Sequence, residues 1–326
     1  MNPYKAISAD LVIVMPVFDD WAAVSKLLRQ FDEVRSDLPE RLHVILVDDG
    51  SVARCPEGIL NAFSDQDTTI EVLRLARNLG HQRAIAVALC YVCDYCDSRG
   101  VLVMDCDGED PPQAIPGLLE QSYDKGNDCV VFASRKRRSE SLVFSLFYHI
   151  YRSLHFILTG IPVRVGNFSY IPHPFIRRLA VSSELWNHYA ATVFVSKLPY
   201  TSIPIARARR LEGRSRMGFS HLVSHGLASM SVFSALVGTR VLVTLAVSLG
   251  LALVLLALVL AVRVFTTLAI PGWATFTVGI LLLLITQLLS LSAVFVFGVL
   301  GARGGAHAIP LRDYRFFVDR SLPPVG

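Results

Sequence analysis

From Val241 to Ala302 a single residue, Arg263, carries a charge, and nothing else in the sequence restricts its fold as strongly. The run Val241–Val262 has 22 residues without a charge, and Ala274–Ala302 is a second, longer run. At about 1.5 Å rise per residue, a helix of that first length extends roughly 33 Å, enough to cross a bilayer core. The connector between the runs holds Pro271 and Gly272, which suit a helix break, and Trp273, which suits a membrane interface. Helices buried in a soluble core are the alternative, but runs this long and this free of charge favour a transmembrane hairpin. Arg240 precedes the hairpin and Arg303, Arg312, Arg315 and Arg320 follow it, against one Arg in the connector. That bias predicts both chain ends in the cytoplasm, and hence an integral protein of the cytoplasmic (inner) membrane. Met1–Asp10 is polar and the apolar stretch Leu11–Pro16 is too short for a cleaved signal. The six cysteines all precede the hairpin, where a cytosolic face would keep them reduced. A net charge of +4 is met by a membrane surface and gives no reason to expect nucleic acid.

The first half of the chain alternates short apolar runs with helical patterns. Strands are expected at Leu11–Pro16, His43–Val47, Glu71–Leu75, Val101–Met104 and Cys129–Ala133. Helices are expected between them, at Trp21–Val34, Gly58–Ser64, Gln82–Cys96 and Pro112–Tyr123. This alternation predicts an α/β domain with a mostly parallel sheet covered on both faces. Ligands in such sheets lie at the carboxyl ends of the strands. The polar clusters fall there: Phe18-Asp19-Asp20, Asp48-Asp49-Gly50-Ser51, Arg77-Asn78 and Asp105-Cys106-Asp107. Beyond Arg135, the residues 141–158 place Leu142, Leu146, Ile150, Leu154 and Leu158 on one helical face. Such a helix lies in a lipid headgroup layer or packs on the sheet. A weaker pattern of the same kind covers 216–238. The tail 303–326 is basic and aromatic, which suits a segment on anionic lipid.

Asp105-Cys106-Asp107-Gly108-Glu109-Asp110-Pro111-Pro112 is the most informative stretch. Four carboxylates within six positions repel one another and call for compensation. A hard divalent cation shared with substrate phosphates supplies it. A solvated acidic turn, with Asp110 capping the next helix, is the other reading.

Four motifs occur in order: Val14-Met15-Pro16-Val17-Phe18-Asp19-Asp20, Val47-Asp48-Asp49-Gly50-Ser51, Arg77-Asn78-Leu79-Gly80-His81, and the acidic stretch with its two prolines. Together they resemble glycosyltransferase family 2 with a GT-A fold, a Rossmann-like α/β arrangement. The polyprenyl-phosphate branch, with bactoprenol glucosyltransferases and dolichol-phosphate mannose synthases, is the most similar. The likeness covers about residues 10–138, and the hairpin fits the bactoprenol type.

The resemblance implies the following roles. Pro16, Phe18 and Asp20 would line the base and ribose of a nucleotide-sugar, with Asp48 bonding the base; Asp49, Arg77, Asn78, His81 and Cys106 belong to the same pocket. Asp105 and Asp107 would form the family's Asp-x-Asp, and Asp107 with Glu109 would hold Mg2+ or Mn2+. Arg135, Arg138, Arg214 and Arg216 would face the acceptor phosphate. Asn167 stands where bactoprenol glucosyltransferases often carry Asp, and Glu109 where Gln is common. Relatives in this branch are often homo-oligomers.

A phosphate monoester acceptor, with its second pKa near 6, is already mostly ionised and needs positioning more than a base. The Arg135–Arg138 group and the group Arg207, Arg209, Arg210, Arg214 and Arg216 supply cations, unless they serve ordinary attraction to anionic lipid. The expected activity is inverting transfer of a sugar from a uridine- or guanosine-diphosphate donor to a polyprenyl phosphate. A metal-dependent GT-A domain (1–215), a juxtamembrane helix (216–238), two spans (239–302) and a tail (303–326) would carry it out at the cytoplasmic membrane face. A sugar-hydroxyl acceptor and a catalytically silent membrane scaffold are the alternatives. His188, in the cluster Trp186–Tyr189, is a further acceptor-side candidate.

Overall fold

The structure, a computed structural model, describes residues 7–39, 41–63, 67–135, 152–153, 155–160, 165–212, 226–266, 272–304 and 308–319. The chain divides into two units. Met1–Tyr148, Val163–Val232 and His307–Gly326 form one; His149–Pro162 and Phe233–Ala306 form the other.

Among the described residues the first unit is built on nine strands: β1 (Ile7–Ser8), β2 (Leu11–Val17), β3 (Leu42–Asp48), β4 (Thr68–Arg74), β5 (Cys96–Asp97), β6 (Gly100–Val103), β7 (Val130–Arg135), β8 (Val165–Pro172) and β9 (Tyr200–Ile205). Its main helices are α1 (Trp21–Glu33), α2 (His81–Tyr95), α3 (Ile115–Asp124), α4 (His173–Ala180) and α5 (Tyr189–Val195). β1 and β5 pair in parallel, and the other seven strands form one sheet in the order β4-β3-β2-β6-β8-β7-β9. Every neighbour pair in that sheet is parallel except those of β8, which runs antiparallel between β6 and β7. The fold is therefore α/β with a mostly parallel sheet, as the alternation predicts.

Both faces of the sheet are covered, which is why its strands read as continuous apolar runs. All seven residues of β2 are buried. Val12 and Val14 face the side of α2 and α4, whereas Leu11, Ile13, Met15 and Val17 face the side of α1 and α3. β3 splits likewise, with Ile45 and Val47 on one face and Leu42, Val44 and Leu46 on the other. α1 buries Val24, Leu27, Leu28 and Phe31 at helical spacing against the second face.

The expected strands β2, β3, β4, β6 and β7 form within a few residues of their predicted ends, as do α1, α2 and α3. The helix expected over Gly58–Ser64 is only a 3₁₀ turn, Glu57–Ile59, among the described residues. Gly58 and a run of about seven residues give too little to offset helix nucleation.

Residues 308–319, expected on lipid, belong instead to the first unit. The Tyr314 side chain is buried in the core beside α2, and its hydroxyl donates to Asp94 at 2.6 Å. Arg315 donates to the same carboxylate at 2.7 Å. Val318 bridges Leu75, Ala76 N–H donates to Phe317 C=O and Asp319 N–H donates to Arg74 C=O.

In the second unit two helices, α6 (Ser234–Phe265) and α7 (Trp273–Gly304), are long and apolar enough to cross a membrane. They start or end within about seven residues of the runs expected at 241–262 and 274–302. Residues 155–159 are helical, and within this unit Arg240 donates to the Ile157 carbonyl at 2.7 Å. The rest of the helix expected over 141–158, apart from 152–153, lies outside the described residues, as does 213–225 of the juxtamembrane stretch.

Candidate active site

Parallel strands bring β2, β3, β4 and β6 to one edge, and their carboxyl ends carry the four polar loops. Two of these loops are pinned by acidic side chains. Asp49 is buried and accepts hydrogen bonds from Leu79 N–H (2.7 Å) and Gly80 N–H (2.9 Å), which fixes the start of α2. Burial pushes its carboxyl above the usual range even though both N–H groups favour the charged form. Gly50 has φ +72°, and a Cβ there would lie 2.6 Å from Asn78 N, so only glycine lets the two loops touch. Asp48 is fully buried and accepts from Ser51 N–H (2.8 Å) and Arg74 Nε (3.1 Å).

The acidic loop folds on its own carboxylates. Asp110 accepts from Asp105 N–H at 3.0 Å, and Asp107 accepts from Glu109 N–H at 3.0 Å. Asp110 thus closes the loop and makes no side-chain cap on the helical turn that follows. Gly108, at φ +83°, lies under Leu211, whose Cγ would be 2.4 Å from an added Cβ.

A cavity of about 170 Å³ opens beside this loop, lined by Pro16, Phe18, Asp20, His81, Asp105, Cys106, Asp107 and Arg210. The sequence analysis singled out all eight, seven of them for the donor pocket and Arg210 as a cation for the acceptor or for lipid. Arg210 crosses the mouth, pairing with both Asp20 and Asp107, the latter at 3.0 Å. Arg207 pairs with Glu109. Asp20 precedes α1 but makes no side-chain cap on it, its carboxylate being turned to Arg210. Cys106 is buried, which pushes its thiol well above the ordinary value.

His81 Nε2 is 3.1 Å from an Asp105 carboxylate oxygen and 2.9 Å from Asn167 Nδ2. Burial works to lower the His81 pKa, but the Asp105 carboxylate, then Asp110 and Asp107, outweigh it and hold the imidazole above its ordinary value. Gln82 Nε2 donates to Asn167 Oδ1 (3.1 Å) and Gln82 Oε1 accepts from Tyr189 N–H (2.8 Å). Asn167 is therefore held beside the cavity by α2 and the start of α5. Gln82 was not anticipated, and its only sequence signal is its place next to His81.

Other expected residues stand apart. Arg77 and Asn78 are exposed and do not line the cavity. His188 is buried and caps α5, its ring nitrogen accepting from Ala191 N–H. Arg135 ends β7, in register with Ile205 of β9. A smaller hollow on that side of the acidic loop is lined by Glu109, Ser134, Gly166, Phe168 and Arg207 among others. Arg138, Arg214 and Arg216 lie outside the described residues.

The profile of glycosyl transferase family 2 matches residues 12–185, more than half of the chain. The protein belongs to glycosyltransferase family 2. An undecaprenyl-phosphate 4-deoxy-4-formamido-L-arabinose transferase of Klebsiella pneumoniae is 25% identical, the alignment covering 98% of this chain and 94% of that protein. An uncharacterized glycosyltransferase of Bacillus subtilis, YkcC, is 24% identical over 89% of this chain and 86% of its own length. Among solved structures, glucosyl-3-phosphoglycerate synthase from Mycobacterium tuberculosis, in complex with Mn2+, UDP-glucose and phosphoglyceric acid, superposes with a TM-score of 0.52. It is 12% identical, covering 71% of this chain and 80% of that one, and so shares the GT-A fold. In this family 2 glycosyltransferase the cavity, with Asp105 and Asp107 in its lining, lies at the carboxyl ends of β2 and β6.

Proposed function

We propose that this family 2 glycosyltransferase moves a sugar from a nucleoside-diphosphate sugar to a polyprenyl phosphate, with inversion, at the cytoplasmic face of the inner membrane. One observation carries the reading: a single chain joins an acid-lined cavity at the strand ends to two apolar helices of spanning length. The likeness to an undecaprenyl-phosphate sugar transferase over nearly the whole chain supports it. Chain connectivity supports the sidedness. The residues before α6 and those after α7 both belong to the catalytic unit, so two crossings return the chain to the side it left.

In this reading Pro16, Phe18 and Asp20 hold the nucleoside, with Asp48 and Asp49 keeping the loops in place behind it. Asp105, Asp107 and Glu109 offer only carboxylate oxygens, a donor set that fits a hard divalent cation completed by substrate phosphates. Asp107 and Glu109 would hold the Mg2+ or Mn2+, whose charge offsets that of the departing diphosphate. Arg135 sits at the end of β7 to meet the acceptor phosphate. Asn167 cannot act as a base, and an acceptor that is already an anion has no need of one.

The test is transfer from radiolabelled nucleotide-sugars to undecaprenyl phosphate in detergent, with and without Mn2+. A cation-dependent lipid product is expected, and Asp107→Ala should lower its rate by at least about 10²-fold. Transfer to a sugar hydroxyl with no lipid product would replace the acceptor half of this reading.

A further inference from the structure

Residues 206–212, which follow β9, run across the acidic loop as a short strap. Ala208 N–H donates to Glu109 C=O and Leu211 N–H donates to Asp107 C=O, both at 3.0 Å. Leu211 rests on Gly108, and Glu212 pairs with Lys26 of α1. Two main-chain bonds, the Leu211 contact and the Glu212–Lys26 pair hold the strap, and Arg210 Nε adds a bond to Glu212 C=O at 2.8 Å. The Arg207 and Arg210 guanidiniums lie on the carboxylates that would receive the cation, Arg207 on Glu109 and Arg210 on Asp107, and Arg210 also pairs with Asp20.

Charge and geometry make this arrangement a competitor for the cation. A carboxylate oxygen that accepts from a guanidinium has that lone pair engaged, and a nearby positive charge repels a second cation. A divalent ion brings as much positive charge as Arg207 and Arg210 together. Its partner, a nucleoside diphosphate, brings phosphate oxygens that match a guanidinium fork. Arg210 already lines the cavity, so an anion bound there would lie beside the guanidinium that now holds Asp107.

We propose that Arg207 and Arg210 are resident counter-ions of the acidic loop that exchange partners, from carboxylate to donor diphosphate, as the cation enters. They are positioning residues for the donor, and they make cation binding depend on the nucleotide. The idea rests on the donor reading given above.

The experiment is Mn2+ binding to the full chain in detergent, followed by electron paramagnetic resonance, with no nucleotide and then with UDP or GDP. Arg210→Ala should bind Mn2+ alone about tenfold more tightly than the natural chain, as a charge-assisted bond to Asp107 is lost. With the preferred nucleotide present, the same variant should hold Mn2+ about tenfold more weakly. Arg210→Lys, which keeps the charge without the fork, should fall between, and Arg207→Ala should shift both affinities in the same directions. Should Arg210→Ala fail to fold, these last two variants carry the same signs. Unchanged or weaker Mn2+ binding without nucleotide in the variants, while UDP or GDP still binds with Mn2+, would overturn the exchange and leave the donor reading standing. If the natural chain binds neither nucleotide with Mn2+, the donor reading falls and the exchange falls with it.

Discussion

At the scale of single residues, the site is held by acids that serve the backbone as much as any ligand. Asp49 and Asp110 each accept main-chain N–H groups and so shape the loops that present Asp105 and Asp107. His81 is the side chain near them whose charge changes within an accessible pH range. Its folded pKa is raised above the unfolded value near 6.5, chiefly by Asp105 against the effect of burial. A raised value means that the protonated form is favoured by folding. The resulting stability is fully present below about pH 6.5 and is lost as pH rises through the folded value. Thermal unfolding of the natural chain and of His81→Gln, compared from pH 5.5 to 9, should show a gap in Tm that is widest at the acid end. A gap independent of pH would mean that His81 contributes only shape.

Among the elements, the order of strands and loops was legible because parallel strands buried on both faces leave a plain record. β2 is an unbroken apolar run and β3 is one from Val44 to Val47, and polar residues appear as each run ends. The acidic stretch was legible for a similar reason, since nothing but a loop tolerates four carboxylates so close together. β8, α4 and α5 left no such record. β8 carries Asn167 and Ser169 among its buried residues, because it runs through the polar network that reaches Gln82 and Tyr189. That mixture reads as neither strand nor helix. The ion pairs of Arg207 and Arg210 were illegible as well, because they join residues about a hundred positions apart. Sequence identified the cations but assigned them to the acceptor or to lipid. α1 offers a direct check on the packing argument. Phe31 is fully buried at its last turn, and Phe31→Ala should cost about 3–5 kcal/mol, read from denaturant unfolding of the full chain in detergent.

On the scale of the whole molecule, the hairpin is an excursion from a domain that is finished only afterwards. The final segment plugs Tyr314 into the core beside α2 and bridges Val318 to Leu75 at the end of β4. A chain ended at Gly304 loses that buried aromatic and its bond to Asp94, and should unfold at a lower temperature than the full chain. Tyr314→Ala alone should account for about 3 kcal/mol of the difference, measured by the same denaturant titration. If the shortened chain unfolds at the same temperature as the full one, the tail lies on the domain without supporting it.

This late closure has a consequence for how the protein is made. Chains emerge from the ribosome amino end first, and domains usually fold as they emerge. Here residues 7–135 are out long before Tyr314 and Val318, and the catalytic unit cannot be completed until α6 and α7 have been synthesised. Arg74, which steadies Asp48, also accepts the backbone bond from Asp319, so the loop at the end of β3 receives this support only after α7 has been made. Synthesis thus imposes an order in which the two long apolar helices are made before the domain is complete. A nascent chain that has not yet passed α6 and α7 therefore has no finished glycosyltransferase domain.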